Sequence, residues 1–430
     1  MIMRRIALLL LILAIMVLVK QGLGQTGIDA RSAGMAFSNV SNTMGAEQVG
    51  LNPATLALVQ NFKFELNLLS LNVGFINSVK RSLYDRYFTS GDTLYENDVQ
   101  NILSAIPSSG YEFDFQGRAN IFSLYARNLS LSLTGVGSAS MSVPKQVFEL
   151  LLQGNSQLNH TYTLNNFQGS SWGGVSANVS IGIPVKKSEE GPLNLMAIGV
   201  TFKYLKGLGY FESLNAEGNL YNYASGISAD ALMEARVSRG GSGFGLDWGM
   251  LLQYNKRLNI SILASNILGS INWTQDNERL VLGVQTEDLL FNLDKFALPD
   301  FVEDSNYVKT DTSFALSAFT TRLPVQLNLG LGYYVTSRWL ITSQFEKSFA
   351  NRLGYTTRAR FSVGTELRYI PLVPVRMGIS LGGLWGKALS FGTGLDLKFW
   401  YLDAAVINYG GITAKSSRGI TLAITSRFRF

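Results

Sequence analysis

The last fourteen residues, S-R-G-I-T-L-A-I-T-S-R-F-R-F over 417–430, alternate with a period of two. Ile420, Leu422, Ile424, Phe428 and Phe430 fall on one side, and Thr421, Ala423, Thr425, Arg427 and Arg429 on the other. Successive side chains of a strand point to opposite faces, so this segment has one apolar and one polar face. Such a face needs a second sheet, as in a sandwich, or lipid, as in a membrane barrel with a polar lumen. Seven strands with this pattern follow one another at 325–335, 338–346, 356–369, 373–385, 388–399, 401–409 and 417–430. Apolar outer faces repeated over seven consecutive strands argue against a soluble sandwich and for a barrel.

The other end of the chain carries a matching address. Arg4 and Arg5 precede an apolar run over 6–19, and the small residues of Gly22-Leu23-Gly24 follow. This pattern predicts a secretory signal peptide cleaved after Gly24, and the run is too short for a transmembrane helix. No other apolar stretch has the length of a membrane helix, so a membrane-spanning mature chain must cross as strands. The absence of cysteine excludes a lipid-anchored lipoprotein, a disulfide framework and a thiolate site. Three of the 36 basic residues leave with the signal, so 33 stand against 30 acidic ones. That balance excludes a nucleic-acid footprint. The 43 glycines and only 15% charged residues fit a β-rich chain with many tight turns.

Three regions are expected: a signal over 1–24, a lumenal or periplasmic segment over 25–61, and a barrel over 62–430. The first strand, 62–78, switches apolar phase between Leu68 and Leu69. Either a β-bulge or an apolar lumen lining explains the switch. Further strands are expected near 111–141 as a hairpin, and at 176–183, 194–206, 244–254 and 258–268. Helices are expected over 98–103 and after Ser142, where Pro144 suits a first turn. The count is about fourteen, an even number as bacterial barrels require. With Phe430 on the periplasmic side, the short turns fall there too. The stretches 79–110, 143–171, 207–243 and 269–324 then become extracellular loops.

The segments A-R-S-A-G-M-A (30–36) and N-P-A (52–54) resemble the N-terminus of the long-chain fatty acid transporter (FadL) superfamily and its related PorV-type barrels. The stretch S-V-P-K-Q-V-F-E-L-L-L-Q-G-N (142–155) resembles an element of an uncharacterised family within it. The resemblance implies a fourteen-stranded all-β transmembrane barrel. It also implies a hatch inside the lumen, with Arg31, Gly34, Met35, Asn52, Pro53 and Ala54 as its motif residues. The alternative is an ordinary periplasmic extension. The terminal aromatics Phe428 and Phe430 are similar to the signal that outer-membrane assembly machinery recognises. Two departures stand out: no further glycine follows Gly34-Met35 as in many relatives, and Asn52-Pro53-Ala54 specifies no ligand.

No catalytic residue, metal ligand or cofactor is assigned. The single histidine, His160, lies in a polar stretch without the partners that a base or a metal site needs. Arg358, Arg360, Glu366, Arg368, Asp396, Lys398 and Asp403 are expected in the lumen, more as a structural network around a plug than as an ion filter. Trp339, Trp385 and Trp400 are expected as interfacial anchors. In the superfamily, outer loops catch a hydrophobic ligand and the hatch passes it through a side opening. The matching loop here offers Leu289, Leu290, Phe291, Leu293, Phe296, Leu298 and Phe301, either as an acyl-chain site or as a lid over the barrel mouth. The expected function is therefore passive uptake of long-chain fatty acids or other hydrophobic small molecules by a monomer in the outer membrane. The alternative is a PorV-like docking barrel for secreted proteins. The expected partners are membrane lipid, a hydrophobic ligand and the assembly machinery, with no nucleic acid.

Overall fold

The computed structural model describes residues 27–89, 93–153, 160–163, 165, 167–223, 226–289, 307–411 and 413–430. Among them, twenty strands form one sheet. The first ten are β1 (Phe64–Asn77), β2 (Tyr111–Ala126), β3 (Leu129–Val143), β4 (His160–Thr163), β5 (Gln168–Lys187), β6 (Leu193–Tyr223), β7 (Gly226–Ser238), β8 (Gly240–Tyr254), β9 (Leu258–Ser265) and β10 (Ser270–Gln275). The rest are β11 (Glu278–Leu289), β12 (Tyr307–Ala315), β13 (Phe319–Arg322), β14 (Gln326–Thr336), β15 (Trp339–Ser348), β16 (Arg360–Leu367), β17 (Val375–Gly382), β18 (Ala388–Asp396), β19 (Trp400–Tyr409) and β20 (Gly419–Arg429).

Fourteen of these close an antiparallel transmembrane barrel in the order β1-β2-β3-β5-β6-β8-β9-β14-β15-β16-β17-β18-β19-β20. At the seam β20 returns to β1, with Ile420 opposite Phe75 and Phe428 opposite Leu66. Closure satisfies every strand edge without water, which is what allows a sheet to cross hydrocarbon. The alternation of β20 is real: Ile420, Leu422 and Ile424 are exposed outward, while Thr421, Thr425 and Arg427 are buried inward.

In β1 the register slips between Asn67 and Leu69 against β20. Leu68 is the extra residue of a bulge, and both Leu68 and Leu69 lie outward. Phe64, Leu66, Leu71 and Val73 therefore all share the lipid side, and Glu65, Asn67, Ser70 and Asn72 are buried in the lumen. From Phe64 to Val73 β1 offers the lumen no apolar side chain; farther along, Ile76 turns inward and packs in a cluster that includes Phe37 of the N-terminal segment.

Two expected loops are largely strand. Segment 207–243 holds the outer half of the 31-residue β6 and all of β7. Segment 269–324 contributes β10 to β13. β7 pairs with β6 and β11, and β11 with β12, building a ribbon that stands beyond the barrel rim. Lower down, β10 lies between β8 and β13 across the mouth. Four α-helices, α1 (Ala30–Gly34), α2 (Arg81–Tyr87), α3 (Glu96–Ala105) and α4 (Lys145–Gln153), and three short 3-10 turns, Gly45–Gln48, Pro53–Ala57 and Ala414–Ser416, complete the described chain. α3 contains the expected 98–103 helix, and Pro144 directly precedes α4. α2 lies in the stretch 79–110, expected as loop apart from the 98–103 helix.

The two faces of β20 predict two different failures. Ile424→Arg sets a charge against lipid near mid-strand and should cost about 2–4 kcal/mol. It should abolish the compact, heat-modifiable barrel band on a gel. Tolerance at a lumenal position would be the simple expectation for Thr425→Arg, but Thr425 is fully covered and its Oγ1 accepts a hydrogen bond from the Ala30 amide at 2.9 Å. Thr425→Arg should therefore leave the barrel band intact and raise ion conductance in planar bilayers by displacing what lies on it.

Candidate functional site

What lies on Thr425 is the N-terminal segment. Residues 27–57 fill the lumen as a plug and touch the wall strands in sequence around the ring. Asp29 caps α1, its carboxylate accepting from the Ser32 amide at 3.0 Å and the Ser32 hydroxyl at 2.5 Å. Past α1, the Ser390 hydroxyl of β18 donates to the Gly34 carbonyl at 3.0 Å, and Ser38 meets Thr342 of β15 at 2.6 Å. Farther on, Asn259 of β9 donates to the Ser41 carbonyl at 3.2 Å. Asn52 then does two jobs. Its Oδ1 accepts from the Ala54 amide at 2.9 Å to start a short turn with Pro53 at its head, while its Nδ2 donates to the carbonyls of Met250 and Ile262 on β8 and β9.

This contact is too close for side chains on the wall. A Cβ at Gly249 would fall 1.9 Å from Asn52 Oδ1, and one at Gly392 would fall 2.8 Å from Gly34 Cα. Glycine on the inner face is thus what allows the plug backbone to seat against the strands.

The plug is tied in by charge. Arg31, fully buried, donates to both oxygens of Glu366 (2.8 and 3.2 Å), to Glu47 at 2.7 Å and to the Asn42 carbonyl at 2.9 Å. Glu366 also pairs with Arg376 at 2.6 Å, Arg376 with Asp403 at 2.6 Å, and Asp403 with Arg427 at 2.5 Å. Arg427 returns to Glu47. Three guanidiniums and three carboxylates therefore form a closed, neutral cycle, two members from the plug and four from β16, β17, β19 and β20. Around it, Arg368 bonds Glu366 and Asp396, and Arg429 bonds Glu65 while lying over the rings of Phe62 and Tyr401. Burial alone would push the Glu47 carboxyl up, but the flanking Arg31 and Arg427 guanidiniums outweigh it and hold the group at about 2.

Above the plug a cavity of about 100 Å³ remains. Its floor includes Ile28 and Val49, its wall is mostly polar, with Gln116, Ser132, Thr134 and Asn178, and its roof is Trp172, Leu205, Leu323 and Leu353. The roof belongs to an apolar cluster with Tyr210, Ile271 and Trp273. Trp172 donates to the Leu353 carbonyl at 3.2 Å and Trp273 to Thr321 at 3.1 Å, so both indole N–H groups are satisfied. Among the described residues, the plug and this cluster occupy the lumen at two levels.

The hatch motif residues Arg31, Gly34, Met35, Asn52, Pro53 and Ala54 are all buried in this plug. Of the seven charges expected in the lumen, Arg360, Glu366, Arg368, Asp396 and Asp403 line it, whereas Arg358 and Lys398 are exposed at its ends. Arg360 bonds Glu346 away from the cycle at 2.9 Å. Trp339 and Trp400 face outward near the short-turn end. Trp385 is not an anchor: it is buried over the plug, its ring edge-on to Tyr409 at 4.3 Å. Leu289 ends β11, and Leu290, Phe291, Leu293, Phe296, Leu298 and Phe301 lie outside the described residues. The terminal strand is stitched at the seam, where the Phe430 carbonyl accepts from the amides of Lys63 and Phe64 at 3.0 and 3.1 Å. Sequence reasoning passed over Glu47 and Arg376 in the cycle and the roof residues Trp172, Ile271, Trp273, Leu323 and Leu353. Only the period-two pair Ile271 and Trp273 carried a legible signal.

Residues 53–238 and 221–404 match a family of unknown function, DUF5723. No curated protein sequence matches the chain. Among solved structures, the Ralstonia pickettii toluene transporter TbuX is 13% identical with a TM-score of 0.55, over 95% of this chain and 99% of that one. The P. putida toluene transporter TodX is 13% identical with a TM-score of 0.53, over 94% and 99%. A Pseudomonas aeruginosa FadL homologue is 12% identical with a TM-score of 0.53, over 95% and 100%. At these identities the likeness is one of fold.

Removing one member of the cycle should loosen the plug rather than the barrel. Glu47→Gln leaves Arg31 and Arg427 less neutralised, and breaking a buried pair costs about 3–5 kcal/mol. Planar-bilayer conductance should rise while the barrel band stays. The sign with pH follows from a depressed carboxylate: its contribution is complete above the ordinary value of 4.5 and fades as pH falls toward about 2. Wild-type conductance should stay low at neutral pH and rise only in that acid window. Parent-like conductance in Glu47→Gln at neutral pH would remove the cycle from plug seating.

Proposed function

We propose, for a chain that belongs to the family of unknown function DUF5723, that the barrel sits in the outer membrane and passes small hydrophobic molecules passively, with the plug as its gate. The observation that carries this is the plug itself. It is seated wall to wall beneath a cavity whose roof is apolar, an arrangement that refuses ions and water-filled diffusion and leaves entry to molecules that partition into an apolar cluster. The similar folds of TbuX and TodX, whose names record toluene transport, support the same class.

Size narrows the class. An engineered apolar cavity of about 150 Å³ accommodates benzene. The cavity of about 100 Å³ is smaller than that. A whole long acyl chain does not fit above the seated plug, so a compact apolar or weakly polar molecule is the better substrate than a long-chain fatty acid. Passage of either requires the plug to shift, and a ligand can shift it only by binding the shifted state better. Residues 1–24 as a cleaved signal, Phe428 and Phe430 as the assembly signal, and the apolar stretch Leu289 to Phe301 as the first contact belong to the same proposal.

One observation favours the docking alternative. Among the described residues the ribbon beyond the rim ends in β12, which pairs there with β11 alone and is exposed from Val308 to Ala315. A free edge of that kind can add a strand from another protein.

Uptake separates the two. Cells that lack such a barrel of their own should take up labelled toluene faster when they make this chain. Phe291→Asp with Phe296→Asp should slow that gain severalfold, because carboxylates are costly in an apolar contact. An assembled barrel that confers no uptake above the empty vector would overturn transport and favour docking.

A further inference from the structure

Seven strand junctions lie at the short-turn end of the barrel, and six of them carry an exposed cation. Lys63 sits at the β20–β1 seam and Arg127 between β2 and β3. Lys186 and Lys187 end β5, Lys256 and Arg257 join β8 to β9, and Arg338 and Lys398 occupy the turns before β15 and β19. Against these eight stand two exposed side-chain carboxylates, Glu189 and Glu190, the first already paired with Lys256 at 2.6 Å. The seventh turn, between β16 and β17, has no exposed charge but presents Tyr369, Ile370 and Leu372 to the surroundings. The opposite end mixes both signs, with pairs such as Arg81–Asp85 and Arg279–Glu234.

Depth locates the collar. Arg338 is followed at once by Trp339, Lys398 comes two residues before Trp400, and Lys256 two after Tyr254, and all three aromatic residues face outward. Such rings settle at the headgroup level of a bilayer, so the cations beside them lie at the height of lipid phosphates. Their spread around the whole circumference also matters. A protein partner would draw charge to one sector, whereas a leaflet surrounds the barrel on every side. From this geometry, and given the bilayer setting proposed above, we infer that the short-turn rim binds the phosphate headgroups of an anionic leaflet. Tyr369, Ile370 and Leu372 dip into that leaflet at the one uncharged turn. The collar would bias which lipids surround the barrel at the short-turn rim.

The test is lipid selection by the full chain reconstituted in vesicles. Quenching of the outward tryptophans Trp248, Trp339 and Trp400 is measured with brominated phosphatidylglycerol or brominated phosphatidylcholine in otherwise matched mixtures. The expected result is a severalfold preference for phosphatidylglycerol that weakens in high sodium chloride. The preference should fall toward unity in a variant carrying Arg127→Gln, Lys187→Gln, Arg338→Gln and Lys398→Gln. Equal quenching by the two lipids in the wild-type barrel overturns the inference, whatever the variant does. A preference erased by inorganic phosphate, but not by sodium chloride of equal ionic strength, would assign the collar to the soluble ion and also overturn it. Failure to insert into either vesicle would overturn the bilayer setting itself, an outcome distinct from insertion without preference.

Discussion

Three arginines and three carboxylates in a closed cycle, away from water, are what the rest of this barrel depends on. Burying one such ion costs several kcal/mol, and only complete pairing offsets it. Each member of the cycle, Arg31, Glu366, Arg376, Asp403, Arg427 and Glu47, has an opposite charge on both sides. The cycle is neutral as a unit and strained by the loss of any one part. Because two members come from the plug and four from the wall, the charged lumen of the wall is satisfied only when the plug is in place. The plug is thus a component of the barrel's electrostatics as well as an obstruction.

The same division of labour runs through the whole molecule. Apolar area is spent on the lipid side, so the inner surface is built from serine, threonine, asparagine and glycine, with charge gathered near the short-turn end. A polar lumen needs something to bond, and plug carbonyls and amides supply it through Ser390, Thr342, Asn259 and Thr425. Glycine brings those groups within reach. Apolar packing returns where plug meets wall, as at Phe37 with Ile76 and Trp385, and at the roof, in the cluster of Trp172, Tyr210, Ile271 and Trp273.

For the channel proposed above, two barriers of different chemistry in series would discriminate by polarity. An apolar roof yields to a molecule that prefers it to water. The plug below yields only to something that compensates broken hydrogen bonds or ion pairs. A small molecule need not break the cycle if the plug moves away from β5, β6 and β8, where its contacts are Asn52, Ala54 and Leu56 rather than charges. The plug is therefore held unevenly, firmly on the side of β16 to β20 and more lightly across the lumen.

Much of this was legible in the chain. The strands from 326 onward could be bounded to within a few residues because lipid and lumen impose opposite polarities on alternate positions. The motif around Arg31 and the turn at Asn52 could be singled out for their small residues and their place before the first strand. What the alternation could not carry was anything outside the membrane. The outer half of β6, β7 and β11 lie beyond the lipid, so no lipid-facing period marks them, and their burial at Tyr210, Leu220 and Ala235 comes from neighbours far along the chain. The β1 phase switch had two explanations until the register against β20 placed the bulge at Leu68. The cycle was beyond reach for a related reason: Arg31 and Glu366 stand 335 residues apart, and Glu47 and Arg427 stand 380 apart. Periodicity determines which face a residue takes, a local property of the strand. Which charges meet across a lumen is decided only when the barrel closes around its own N-terminus.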